Sequence, residues 1–121
     1  MKIYEITSCY PVEEKYGLIS DTKRSANSVI ASIAESHGRY YFADKVRVLY
    51  IARGEIEETR SHLKVAQGRR YIERKVFEEL DQEYEKLSMS VSKYIQSLSK
   101  SKKRHLINQP IGQSTNSRVE K

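Results

Sequence analysis

The chain has 121 residues, with 22 Lys and Arg against 16 Asp and Glu, one cysteine, no tryptophan and two prolines. That length suits one domain with a thin margin of core, and the lone Cys9 excludes a disulfide framework or a pair of cysteine metal ligands. No run approaches the roughly 18 apolar residues of a membrane span, and the first residues lack the charged-then-apolar profile of a secretory leader, so a cytoplasmic protein is expected.

The net charge of +6 is unevenly placed: 16 basic residues face 15 acidic ones through Gln96, and from Ser97 onward six basic residues face Glu120 alone. Within the body, the stretch from Lys23 to Lys75 is rich in Arg and Lys, whereas Glu78 to Glu85 is acidic. Such segregation predicts one basic and one acidic face.

In chain order, MKIYEITSCY puts Ile3, Ile6 and Tyr10 on one helical stripe before Pro11, as the last turns of a helix would. The connector PVEEKYG follows. A second helix is expected over about 16–37, with Leu18, Thr22, Ala26, Val29, Ile33 and His37 on one face and Gly38 as a left-handed cap. A third, about 41–67, turns Phe42, Val46, Leu49, Ala52, Ile56, Leu63 and Ala66 inward. Gly54 interrupts it at a cost of about 1 kcal/mol relative to alanine, which points to close helix packing there.

The fourth helix, about 73–99, carries Phe77, Leu80, Tyr84, Leu87, Val91, Tyr94 and Leu98 at alternating steps of three and four. Beyond Ser99 the residues are polar and aperiodic. The pattern predicts an all-α chain: residues 1–99 form an antiparallel up-and-down four-helix bundle with an abbreviated first helix, and 100–121 a basic, disordered tail.

The stretch SANSVIASIAESHGRYY, residues 25–41, holds the residue types of a hydrolase site in Ser28, Ser32, Glu35, Ser36 and His37. Nucleophilic catalysis needs a base held against the nucleophile and donors aimed at an oxyanion. On a helix His37 lies more than a turn beyond Ser32, and Glu35 cannot orient it. Helix packing is therefore the expected role, with Val29, Ile30 and Ile33 as apolar filling and Glu35 facing water or paired with Arg53 or Arg60. His37, His62 and His105 share no metal-ligand spacing, and no glycine-rich phosphate loop is present. No enzyme activity, metal or cofactor is expected.

The remaining chemistry is cationic. Lys100, Lys102, Lys103 and Arg104 form a cluster suited to phosphate contacts or to the negative end of a helix. Lys23, Arg24, Arg39, Arg47, Arg53, Arg60, Lys64, Arg69 and Arg70 offer a second basic surface. Tyr40 and Tyr41, beside Arg39, suit base stacking or an interface between helices. Val29, Ile33, Gly38, Tyr40, Tyr41 and Gly54 are the expected packing and oligomer residues.

The motifs EEKYGL, RSANSVIASIAE and LYIARGEIEE, in that order between Tyr10 and Arg60, resemble the bacterial four-helix-bundle family whose founding members are encoded by intervening sequences within large-subunit ribosomal RNA genes. The similarity continues more weakly to about Ser99 and excludes the tail. It implies an up-and-down bundle and, for related members, a ring-shaped homopentamer. Distant relatives serve as accessory subunits of diversity-generating retroelements, binding a reverse transcriptase and nucleic acid through basic surface. An oligomeric adaptor that binds RNA, and perhaps a protein partner, is the function this implies. A protein-interaction module without nucleic acid is the alternative. Ser32 and Ser36 depart from the family's usual Asn and Gly. The family's first helix also starts well before the position matching Met1, so a truncated or misassigned start is expected rather than a groove left open for a partner.

Overall fold

The computed structural model describes the backbone of residues 2–108 and the side chains of residues 2–101. All its regular structure is helical: α1 (Lys2–Thr7), a 3-10 turn (Val12–Glu14), α2 (Leu18–Gly38), α3 (Phe42–Gly68) and α4 (Arg74–Asn108). Contacts run α1 on α2, α2 on α3 and α3 on α4, the order of an up-and-down bundle.

α3 is the central element. Leu49, Ala52, Ile56, Thr59, Leu63 and Ala66 are fully buried at alternating steps of three and four. At one end, Tyr10 and Leu18 close over Ala66; in the middle, Ile3, Ala26, Leu63 and Leu80 share a cluster; at the other end, Val29, Leu49 and Ile56 meet Val91, Ile95 and Leu98. Buried hydroxyls lie between these apolar layers. Thr59 Oγ1 of α3 sits 2.8 Å from Ser25 Oγ of α2, and Ser25 Oγ donates to the Thr22 carbonyl at 3.2 Å.

α1 has only six residues, far shorter than its neighbours, so it covers one part of the seam between α2 and α4. At its start lies an apolar groove of about 300 Å³, lined by Ile3, Ala26, Val29, Leu80, Tyr84 and Leu87 among others. Ile30, expected as core filling, borders this groove and is exposed.

The ends of the helices correct two expectations. Gly38 is the last residue of α2 and has no left-handed φ; Arg39 is extended, and Lys45 Nζ caps the helix by donating to the Ser36 and His37 carbonyls at 3.1 and 3.4 Å. α3 instead ends in a left-handed turn at a non-glycine residue. Arg70 has φ 63°, with Tyr71 N donating to the Ala66 carbonyl and Arg70 N to that of Gln67, the pairing of a Schellman cap.

α4 also continues to Asn108, nine residues beyond the boundary expected at Ser99. Helix propagation needs only residues that tolerate it, and no Gly or Pro lies between Gly68 and Pro110. The part of the expected disordered tail at 109–121 lies outside the described residues.

The turn between α1 and α2 is pinned to the far end of α3. Glu14 accepts from Arg69 Nη1 at 2.6 Å, from the Tyr71 hydroxyl at 2.7 Å and, through its other oxygen, from Leu18 N at 3.4 Å. The Tyr71 hydroxyl foremost, with the Leu18 amide and Arg69, holds its carboxyl below the usual carboxylate range against some desolvation. Tyr10 packs on Tyr71 with the rings tilted and their centroids 5.3 Å apart, and burial pushes the Tyr10 hydroxyl up to about 12.

Two outcomes follow from these ends. Replacing Arg70 by Gly relieves the left-handed strain and is expected to raise stability by about 1 kcal/mol, or on the order of 4 °C in Tm. Arg70→Ala keeps the strain and should give no such gain in the same thermal melts. Second, a carboxyl depressed in the folded state stabilises the fold fully above its unfolded value of about 4.3 and loses that contribution as pH falls through the lower folded value. Urea midpoints measured from pH 7 down to pH 3 should therefore fall in the acid range, and Glu14→Gln should flatten part of that fall.

Candidate nucleic-acid interface

Most of the body cations expected to contact nucleic acid are already engaged within the bundle. Arg24 on α2 reaches Glu58 and Glu55 on α3. Arg39 pairs with Glu35 one turn earlier; Glu35 is exposed, as one of the two expected placements had it, and its partner is Arg39 rather than Arg53 or Arg60. Arg69 is held by Glu14. Lys23 lies over the Tyr4 ring, 4.7 Å from its centroid. Arg60 is the most heavily committed: its Nε and Nη2 grip the two Asp81 oxygens at 2.7 and 3.1 Å, with Glu57 and Glu85 nearby. Its hydrogen bonds to Asp81 hold that carboxyl down, and those to Arg24 and His62 do the same for Glu58.

Arg47 and Arg70 are exposed, with no ion pair among the described residues, and Lys100 is exposed on α4. Lys102, Lys103 and Arg104 fall within the helical backbone of α4, while their side chains lie outside the described set. The cluster read as a tail therefore continues a helix, so its residues follow the helical period. Where the bundle consumes its arginines, the reason is register: each acidic partner sits one turn away or directly across a helix interface, where the entropy cost of pairing is smallest.

Of the expected packing residues, Val29 is in the core and Ile33 is partly buried against it. Tyr41 is half-buried, with its ring 5.0 Å from that of Tyr40 in an edge-on arrangement, and Tyr40 itself is 81% exposed. Gly38 and Gly54 face open space: a Cβ added at either would meet nothing within 4 Å. The close packing expected at Gly54 is therefore absent among the described residues. The serines of the 25–41 stretch divide in the same way: Ser25 and Ser36 are fully buried and bonded to backbone carbonyls one turn back, whereas Ser28 and Ser32 are half-buried. His37 stacks on Tyr94 of α4, with ring centroids 5.6 Å apart, well placed to close the bundle end and poorly placed to serve Ser28 or Ser32 as a base.

Three side chains, of which Arg53 alone is singled out by sequence, meet on the outer side of α3 and α4. Tyr50 is 52% exposed; Arg53 lies over its ring at 5.0 Å and donates to Ser92 Oγ at 3.2 Å; Lys93 is exposed beside that serine. The spacing of Arg47, Tyr50 and Gly54 along one helix side was readable in advance. The meeting with α4 required the register of two helices. Among the described residues there is no group of three His, Cys, Asp or Glu side chains placed to hold a metal, and no helix is long and apolar enough to cross a membrane.

The chain matches no curated protein. The family model of the 23S rRNA-intervening sequence protein matches residues 1–93, which spans α1, α2, α3 and the first half of α4. That description names no chemical activity. With an all-helical bundle and a match over most of its length, this chain belongs to the 23S rRNA-intervening sequence protein family.

Proposed function

We propose that this chain is a non-enzymatic, oligomeric adaptor of the cytoplasm that binds RNA through its basic surface. The observation that carries this reading is the charge order along α4. After Glu85 the helix has no acidic residue through Asn108, and it carries Lys86, Lys93, Lys100, Lys102, Lys103 and Arg104. A run of like charge on a rigid rod is costly to maintain for stability alone and well suited to a polyanion. Oligomerisation into a ring, as the family resemblance implies, would repeat that rod around one axis and multiply its phosphate contacts.

The alternative is a protein-interaction module. Its support is the exposed acidic part of the same helix, Glu78, Glu79 and Glu83, which suits a basic protein partner, a reverse transcriptase by resemblance. Labelled RNA separates the two readings, since only the first expects it to bind, and contacts to several phosphates weaken steeply as salt rises.

Polarisation titrations with labelled RNA at several salt concentrations are expected to show such a slope, and replacing Lys100, Lys102, Lys103 and Arg104 by Ala should lower affinity several-fold. Unchanged binding by that variant, or binding indifferent to salt, overturns the electrostatic reading. Multi-angle light scattering of the full chain is expected to give the mass of a pentamer, and a monomer's mass overturns the oligomeric part.

A further inference from the structure

The cationic end of α4 does not stand alone. Lys86, Lys93 and Lys100 recur every seven residues, so they form one stripe along the helix, and all three are exposed. Between them in sequence lie Ser88, Ser90, Ser92, Ser97 and Ser99; at the helical period Ser90 and Ser97 share the lysine side, and Ser92 turns toward α3. Serine is a weaker helix former than alanine, and its hydroxyl competes for backbone groups, so helix stability does not account for them. Hydroxyls beside lysines do suit phosphate oxygens.

Next to α4, whose lysine stripe faces outward, α3 presents residues 45–54 without a single Asp or Glu, and from them Arg47 and Tyr50 face solvent. Arg53 bridges the two helices by lying over the Tyr50 ring and donating to Ser92. Towards the α3–α4 turn the same surface changes sign: Glu57, Asp81 and Glu85 surround Arg60.

We propose that the acid-free half of the α3–α4 face binds single-stranded RNA, with a base stacked on Tyr50 and phosphates met by Arg47, Arg53 and the lysine stripe. The ligand is single-stranded because an aromatic ring on a helix surface stacks only on a base that is not already paired and stacked. Arg53 pre-orients the ring and lends its charge at the same point. The polarity of the face fixes where the strand lies, since the acidic half repels a continuation of the phosphate chain. This site rests on the RNA-binding reading above and adds a place and a strandedness to it.

The test uses the full chain and a labelled oligouridine of about 20 nucleotides, with an RNA duplex of equal length as comparison. The wild type is expected to prefer the single strand. Tyr50→Ala should weaken binding about five-fold or more, while Tyr50→Phe keeps it. Lys86→Ala/Lys93→Ala should reduce the slope of log affinity against log salt by about 1.4. Lys15→Ala/Lys75→Ala, the same charge loss at the opposite end of the bundle, should change neither.

The two lysine pairs are exposed, so their outcome stands even where Tyr50→Ala lowers the melting temperature. No binding by the wild type overturns both the RNA reading and this site. Binding that survives Tyr50→Ala and Lys86→Ala/Lys93→Ala but is lost on replacing Lys102, Lys103 and Arg104 overturns this site alone, as does a preference for duplex.

Discussion

Three consecutive residues of α3 set the arrangement of the bundle. Thr59 places its hydroxyl against Ser25 of α2 in the interior, while Glu58 on one side takes Arg24 of α2 and Arg60 on the other takes Asp81 and Glu85 of α4. The interior pair acts as a register mark. The pair is met in one alignment, and sliding α2 by a residue would break it at a net cost of about 0.5–1.5 kcal/mol, while each hydroxyl keeps its bond to a carbonyl of its own helix. An apolar seam of Leu, Ile and Ala tolerates such slips far better, because its attraction has no direction. The outer pairs contribute less on their own, since partly exposed ion pairs are screened, though the two-pronged grip of Arg60 on Asp81 is the better placed of them.

That alignment decides which charges remain for a partner. Acidic residues of α3 at Glu55, Glu57 and Glu58 stand opposite basic residues of α2 or beside Arg60, so the middle of the bundle is electrostatically closed. At the α1–α2 turn Glu14 closes off Arg69 in the same way. Beyond the level of Arg53 no ion pair joins α3 to α4 among the described residues, and Lys93 and Lys100 are exposed. The basic surface is therefore a remainder, set by where the internal pairs stop.

Helical period is a property of the backbone, so the four helices and most of their buried stripes were legible from the spacing of Leu, Ile, Val and Ala. Thr59 and Ile95 were missed for different reasons: a threonine carries no apolar signal, and Ile95 stands one step off a seam already accounted for by Tyr94. The capping of α2 by Lys45, the left-handed Arg70 and the exposed Gly54 were not legible, because each depends on what stands across a turn or a helix interface. The candidate site divides along the same line. The presence of many arginines was plain in the sequence; which of them were already paired needed register. The helix runs past the end expected near Ser99 to Asn108, since Lys, Arg and Leu are good helix formers and only Pro or Gly would have forced a stop.

The cations of α4 invite a simpler explanation in the helix dipole, which favours positive charge near a C-terminus. That effect is worth about 0.3–1 kcal/mol and fades within the last turn. It covers Arg104 and its immediate neighbours. Lys93 and Lys86 stand about four and six turns before Asn108, well outside its reach. The beginning of the helix argues the same way: its first turn holds Arg74 and Lys75 and no acidic residue, the reverse of what the dipole favours. The charge order of α4 is thus not arranged for the helix itself. Asp81 and Glu85 of its acidic part serve Arg60, while Lys86, Lys93 and Lys100 have no ion pair among the described residues.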